Sequence, residues 1–382
     1  MNEWVEGKFS DVAEVIMGQS PVGSMCNNKG IGIPLLNGPT EFTSKFPLPV
    51  QFTTDARKLS KDGDLLFCVR GSTTGKMNWS NQVFAIGRGL AAIRHKKSEK
   101  ANPFIKAVLV HSLDEILAGS TGSTFPNVSR TDLENLKISL PPLPEQQAIA
   151  EVLSSIDDKI DLLHRNNKTL EEMAETLFRQ WFLDTEFNST INDVAEVLNG
   201  YAFKSSEFSS EGKNYVIKIK NIGGSSVNIS DCDRISDNTA NKTNNKFKVL
   251  TGDVLFAMTG AELGKMGIVG STTRSLWLNQ RVGSIKDRFN GSRYLAYLAL
   301  NSELGQDFIL NTASGSAQPN ISGVDISRCP FPSISPEQIE EKSEVLNNLF
   351  DKVIHNLGQI SILKETRDTL LPKLMSGQVV VN

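Results

Sequence analysis

The chain is written twice, and this constrains its fold more than any other feature. The 382 residues contain "DVAEVIMGQSP" from Asp11 and "DVAEVLNGYAF" from Asp193. They contain "DGDLLFCVRGSTTGKM" from Asp62 and "TGDVLFAMTGAELGKM" from Thr251, then "GSTFPNVS" from Gly122 and "GSAQPNIS" from Gly315. Finally "PEQQAIAEVLSSIDDKI" from Pro144 returns as "PEQIEEKSEVLNNLFDKV" from Pro336. The offsets are 182, 189, 193 and 192 to 193, so order and spacing both persist. Such self-similarity marks a tandem architecture. Each half is a globular region followed by one long helix.

The helices carry the strongest periodic signal. From Ile149 the apolar positions step alternately by four and three through Leu153, Ile156, Ile160, Leu163, Asn167, Leu170, Ala174, Leu177 and Trp181. The second copy runs Leu346, Leu349, Val353, Asn356, Ile360, Leu363, Arg367, Leu370 and Leu374. That spacing is a coiled-coil seam, and the charged residues outside it predict solvated faces. Pro144 and Pro336 are predicted at the first helical position, where a missing N–H costs nothing. Ser335 and Gln338 make a capping-box pattern, and Pro372 is expected to end or kink the second helix. Each helix is expected to run about 36 residues, or about 55 Å. The simplest cover for each seam is the other, antiparallel, with the globular regions at opposite ends of a rod. Residue numbers across the seam then sum to about 523, which sets Asn167 opposite Asn356.

The expected fold class is α+β: two pseudo-symmetric globular domains separated by an antiparallel two-helix coiled coil. The expected boundaries are domain one at 1–141, spacer helix one at 142–185, domain two at 186–335, spacer helix two at 336–377 and a tail at 378–382. Strand candidates include "GDLLFCVR", "GKMNWS", "FAIGRGLAAIR", "NYVIKIKNI", "VLFAMTG", "KMGIVGS" and "RVGSIK", bounded by Gly, Asn and Asp. "PFIKAVLVHSLDEILAG" and "GSRYLAYLALNSELGQDFIL" read as one amphipathic helix in each half.

Catalytic signatures fail one by one. "GSTTGKM" is one residue short of a Walker loop, with Met77 where a hydroxyl should hold magnesium. The second copy places Glu262 inside the same turn, where it would repel phosphate. The frame that survives, Gly-x-x-x-Gly-Lys-Met, predicts a hairpin turn with variable contents, a common way to build a recognition loop. There is no nucleophile elbow and no zinc-binding His-Glu-x-x-His. "NPFI" at Asn102 lacks the second proline of the amino-methyltransferase motif. Asp157 and Asp158, like Glu171 and Glu172, are helix neighbours that diverge rather than converge as an acid–base pair. The four cysteines (Cys26, Cys68, Cys232, Cys329) and the four histidines (His95, His111, His164, His355) show no metal-ligand spacing. A binding protein is favoured, with no catalytic residues, no metal and no cofactor of its own.

Charge is uneven along the chain. Residues 142–185 hold four cations against nine anions, whereas "GRGLAAIRHKKSEKANPFIK" holds six cations against one anion. With no apolar run of eighteen residues and no signal pattern in "MNEWVEGKFSD", neither a membrane span nor export is expected. A reducing cytoplasm suits the scattered thiols.

These residues resemble the specificity subunits of type I restriction–modification enzymes. "GSTFPNVSRTDLENLKISLPPLPEQQAIAEVLSSIDDKIDLL" is similar to the end of a recognition domain and its helical spacer. "IGRGLAAIR", "LNQRV" and the repeated stretches fit as well, and the likeness covers essentially the whole chain. It implies two target-recognition domains, each reading half of a bipartite asymmetric sequence in double-stranded DNA. It also implies helices that set the gap and dock two methyltransferase subunits, to which two motor-nuclease subunits can join. S-adenosylmethionine, ATP and magnesium would belong to those partners. The looser second helix start, "PSISPEQ", departs from "PPLPEQ" and implies a weaker docking site there.

A span of about 55 Å corresponds to about 16 base pairs. Base reading needs Arg, Lys, Asn, Gln, Ser or Thr on loops that reach a groove. The candidates in the first half are Arg70, Ser72, Thr73, Lys76, Arg88 and Arg94. In the second they are Lys218, Lys220, Asn221, Lys265, Arg274, Asn279, Gln280 and Arg281. The competing class is a coiled-coil adaptor joining two protein-binding modules without DNA. A nucleotide hydrolase is a third class, and no turnover by the chain alone is expected.

Overall fold

The structure, a computed structural model, describes residues 4–119, 126–313 and 319–381. The repeat pieces at 122–125 and 315–318 therefore lie outside the described residues. The chain forms two compact units: Met1–Asp161 with Lys364–Asn382, and Leu162–Leu363. Both boundaries fall inside long helices, not at the helix–domain junctions near 141 and 335 that sequence alone suggests.

In the first unit the main sheet runs Ala13–Met17, Leu90–His95, Leu65–Cys68, Met77–Trp79, all antiparallel. The second unit repeats that order with Ala195–Asn199, Val282–Asp287, Val254–Ala257 and Met266–Ile268, extended by Ser225–Val227 and Ile222–Gly223. A smaller mixed sheet accompanies each. In unit one it is Cys26–Asn27, Gln51–Thr53, Ile33–Leu36, Ala85–Ile86; in unit two it is Phe208–Ser209, Asp233–Ile235, Asn214–Ile217, Ser275–Leu278, Lys248–Val249. In both, one pair of strands is parallel: Ile33–Leu36 with Ala85–Ile86, and Asn214–Ile217 with Ser275–Leu278. The fold class is α+β with an internal repeat.

Alternation explains how one central strand serves two cores. On Leu65–Cys68, Leu65 and Phe67 face one cluster while Leu66 and Cys68 face another, as the two-residue period of a strand requires. The predicted amphipathic helices each split in two. Asn102–His111 and Leu113–Ala118 break at Ser112, and Arg293–Asn301 and Glu303–Ala313 break at Ser302. In the second, Ser302 Oγ accepts from Gly305 N at 3.2 Å, the capping competition that makes serine a frequent boundary.

The long helices are Leu143–Trp181 and Pro336–Met375. Pro144 sits one position later than predicted, since the helix opens at Leu143. Ser335 and Gln338 cap each other, Ser335 N donating to Gln338 Oε1 at 3.0 Å and Gln338 N to Ser335 Oγ at 3.3 Å. Pro372 does not end the helix, which continues to Met375 and stops where Gly377 takes φ of 71°, the left-handed terminator that glycine supplies at low cost.

Ile149, Leu153, Ile160, Leu163, Asn167, Leu346, Val353 and Ile360 on the seam are buried. Ile156, Leu170, Leu177, Leu349, Asn356, Leu363 and Leu370 are half-buried. Within unit two, Asn356 Nδ2 donates to Asn167 Oδ1 at 2.8 Å, and Lys342 lies 5.1 Å from the Trp181 ring centre. Both pairs sum to 523, so the two helices run antiparallel there. Within unit one, Arg367 contacts Asp157 at 2.9 Å.

Not all faces outside the seam are solvated. Ala150 in unit one, and Phe178, Phe350 and Ile354 in unit two, are buried against the sheets and short helices. Phe350 stacks on Tyr294 with ring centres 4.3 Å apart. The acidic neighbours also have jobs. Asp157 binds Lys106 and Arg367, and Asp158 binds Lys45 at 2.7 Å. Burial, with Glu175 adding repulsion, pushes the Glu171 carboxyl up to about 7 against the opposing hydrogen bond from Ser225. Among the described residues no helix is long and apolar enough to cross a membrane, and no His/Cys/Asp/Glu group could hold a metal. The four cysteines are free thiols.

Candidate nucleic-acid interface

Leu65–Cys68 and Met77–Trp79 form a hairpin, and the stretch once comparable to a phosphate loop is its turn. Gly75 N donates to Cys68 O at 2.9 Å and Cys68 N to Lys76 O at 2.8 Å. Gly71 and Gly75 have φ of 89° and 91°, and Gly260 and Gly264 have 80° and 78°. Only glycine enters that region without cost, so these glycines set the frame in both copies. The repeated Pro-Asn segment buttresses it. Val128 N donates to Val69 O, and Ile321 N to Met258 O, each at 2.9 Å.

A second turn lies against the first, at the same end of the main sheet. Val69 N donates to Gly89 O at 2.9 Å, and Met258 N to Arg281 O at 3.1 Å. Leu90 N donates to Gly87 O at 3.0 Å, and Val282 N to Asn279 O at 2.9 Å. The strand opening each repeat ends here too. Gly18 N reaches Leu90 O at 2.8 Å and Gly200 N reaches Val282 O at 3.1 Å. Gln19 N reaches Ile86 O at 2.8 Å, and Tyr201 N reaches Leu278 O at 2.9 Å. The small sheet closes the ring, with Gly87 N to Leu36 O at 2.8 Å and Asn279 N to Ile217 O at 3.2 Å. Each unit thus holds one platform made from the same hydrogen bonds.

Arg70, Ser72, Lys76 and Arg88 are exposed on the first platform, with Thr73 half-buried. Arg88 N donates to Ser20 Oγ at 3.2 Å, which fixes the turn's backbone beneath an exposed side chain. On the second platform Gln280, Arg281 and Lys265 are exposed, the last paired with Glu262 at 2.5 Å. Asn279 is half-buried and accepts from Arg281 N at 3.5 Å. Lys218 stands beside it, over the Phe208 ring at 4.0 Å and paired with Asp233. That hydrogen bond holds the Asp233 carboxyl below the usual carboxylate range.

The remaining candidates stand elsewhere. Arg94 is at the opposite end of strand Leu90–His95, in a polar cleft of about 500 Å³, and binds buried Asp64 at 2.7 Å. Its side chain is 13% exposed, so it is committed to that ion pair. Burial raises the Asp64 pKa, opposed by Lys61 N–H and Arg94. Asn221 is 2% exposed and pins its own loop, accepting from Lys218 N and donating to Asp231 O, both at 2.9 Å. Lys220 is exposed near Asp231 at 3.3 Å. Arg274 donates to Ile229 O at 2.9 Å and lies 5.0 Å from the Tyr215 ring centre, at the far end of strand Ser275–Leu278 from Asn279.

Sequence reasoning missed Gln19, Asn37 and Tyr201, which border the platforms. Tyr201 belongs to an aromatic group with Phe203 and Phe247, centres 4.8 and 5.4 Å away, with Lys246 over Phe247 at 5.0 Å. Aromatic rings interleaved with lysines were the available signal, but they are scattered across 46 residues of chain.

A duplicated α+β protein with one loop platform per unit, carried on shared helices, is the class the geometry defines. The chain belongs to the family described as "Type I restriction modification DNA specificity domain", whose profile matches residues 1–172 and 184–361. It is 38% identical over 164 residues to the relative MjaX of Methanocaldococcus jannaschii, covering 43% of this chain and 38% of that one. It is 28% identical over 286 residues to the type I restriction enzyme MjaIX specificity subunit of the same organism, covering 69% and 65%. The chain thus spans less than two thirds of the length of these two curated relatives. The fold matches the type I restriction–modification S subunit from M. genitalium with a TM-score of 0.62 at 17% identity, covering 98% of this chain and 96% of that one.

Proposed function

We propose that this chain is the sequence-reading, non-catalytic subunit of a type I restriction–modification complex. Each unit reads one half of a bipartite asymmetric target in double-stranded DNA. The two long helices set the gap between halves and dock two methyltransferase subunits, to which motor-nuclease subunits can join. S-adenosylmethionine, ATP and magnesium are held by those partners, and the complex works in the cytoplasm. The observation that carries this reading is the doubled platform, with cations and amides exposed on the same frame in each unit, in a chain of the DNA specificity family. Arg70, Lys76, Arg88, Lys265 and Arg281 supply charge for phosphates or guanine edges. Ser72, Thr73, Asn279 and Gln280 supply hydrogen bonds to base edges. Lys218 borders the second platform and Lys220 stands away from it beside Asp231, whereas Arg94, Asn221 and Arg274 act by holding structure.

Filter binding of the chain assembled with its cognate methyltransferase tests this. Affinity for duplex DNA should fall steeply with salt, log K declining by about 0.9 per phosphate neutralised. Binding to DNA that ignores salt, or none beside tight binding to a protein ligand, would establish the adaptor class instead.

A further inference from the structure

The two platforms share their hydrogen bonds but not their side chains. Superposing the backbone pairs in chain order sets Gln19 against Tyr201, Asn37 against Lys218, and Arg88 against Gln280. The flanking frame is nearly the same in both copies: Asp-Val-Ala-Glu-Val before the first position, Gly-Lys-Met after the hairpin turn, Pro-Asn-x-Ser behind it. Three of the side chains standing on the frame differ, while Gly18/Gly200, the two hairpin-turn glycines and Lys76/Lys265 are kept, and the turn residues Gly87/Asn279 and Gly89/Arg281 differ as well. Different polar side chains exposed on one shared backbone frame are what two readers of different half-sequences require. Gln19, Asn37, Arg88 and Gln280 are exposed, and Tyr201 and Lys218 half-buried.

Close backbone approach explains why the glycine at the strand end is kept in both copies. A Cβ on Gly18 would sit 2.1 Å from Gly87 O, and one on Gly200 would sit 2.0 Å from Asn279 O. Two turns and a strand end are thus pressed together, and their side chains must project from a common point. Asn37 is further oriented by donating to Gln51 Oε1 at 3.0 Å.

We propose that Gln19, Asn37 and Arg88 discriminate bases for the first unit, and that Tyr201, Lys218 and Gln280 do so for the second. This rests on the DNA-reading function proposed above and adds which side chains choose the sequence. The first set joins two amides to a guanidinium. Amides pair bidentately with adenine and guanidinium with guanine in the major groove, so the first unit's half-site is rich in purine contacts. The second set replaces one amide with an aromatic ring backed by Phe203 and Phe247 and the other with an ammonium. Gln280 puts an amide where the first set has its guanidinium, so this set reads by ring contact, by the Lys218 ammonium on guanine and by the Gln280 amide on adenine.

The test is methylation mapping with the complete methyltransferase complex, using Gln19→Ala, Asn37→Ala and Arg88→Ala in one series. Tyr201→Gln and Gln280→Ala form the second series. Lys100→Ala, an exposed residue beyond the opposite end of strand Leu90–His95, is the control. Each first-series variant should lower methylation of the wild-type motif about ten- to a hundredfold. Each should also relax one position, all in the same half of the motif. Second-series variants should relax the other half. Thermal melting of each variant checks that the platform is intact, and Asn37→Gln should restore part of the lost discrimination. An unchanged motif with rates within twofold of wild type, or relaxation scattered over both halves by one series, overturns the inference and leaves DNA reading in place. Absence of any bipartite motif in the wild-type map overturns the function itself.

Discussion

At the scale of residues, several charged groups do structural work that looks, in sequence, like binding or idle surface. Glu171 is one. Its carboxyl is pushed up to about 7 by burial, with Glu175 adding repulsion. Its folded value therefore exceeds its unfolded one. The folded protein keeps a proton that the unfolded chain releases, so the associated stability is present below about pH 4.5 and is lost as pH rises through 7. Glu171→Gln removes this dependence. Urea denaturation should show little difference between variant and parent at pH 5. At pH 8 the variant should be more stable by on the order of 1 kcal/mol. A smaller stability for the variant at pH 8 would mean the ionised carboxylate is favourably bound. Arg94 makes the complementary case. Its partner Asp64 stands 30 residues earlier, and only strand pairing between Leu65–Cys68 and Leu90–His95 brings them together. A basic stretch in sequence therefore divides into Arg88, which faces outward, and Arg94, which is spent on a buried carboxylate.

At the scale of elements, local periodicity was readable and long-range pairing was not. The seam and the Asn167–Asn356 contact follow from a repeat of four and three along each helix, because that spacing fixes which face meets a partner. The hairpin turn was readable because glycine at positive φ has a local cause. The platform was not, since Gln19, Asn37 and Arg88 converge only through hydrogen bonds spanning some 50 to 70 residues. The breaks at Ser112 and Ser302 were hidden too, because apolar periodicity continues across them. The asparagine pair yields a prediction at this scale. Asn167 is 5% exposed and its Nδ2 has no partner within the protein, so the pair trades stability for register. Asn356→Leu alone leaves Asn167 buried without its donor and should cost about 2 kcal/mol by thermal denaturation. Changing both to leucine should recover that loss and exceed the parent. A double variant no more stable than the single would show that the pair is not the register lock.

At the scale of the whole molecule, each unit borrows helix from both ends of the repeat. The first unit is closed by the chain's last residues: Leu374 and Met375 are buried in the cluster that holds Phe9, Ile149 and Leu153. Arg367 completes the Asp157 ion pair beside Lys106. Among the described residues, the second unit's core draws instead on Ala174, Phe178, Leu346 and Phe350. The globular regions are consequently not the units of stability, although they are the units of repetition. Ending the chain at Leu363 should therefore injure one unit selectively. Loss of two buried side chains and one ion-pair partner should destabilise the first unit by about 4 kcal/mol or more. Hydrogen exchange reads this directly. Protection should fall at Leu65–Cys68 and Leu90–His95 and persist at Val254–Ala257 and Val282–Asp287. Equal loss in both sets of strands would mean that the second helix stabilises the molecule as one cooperative body, and unchanged exchange in the first set would mean that its core closes without the C-terminal turns.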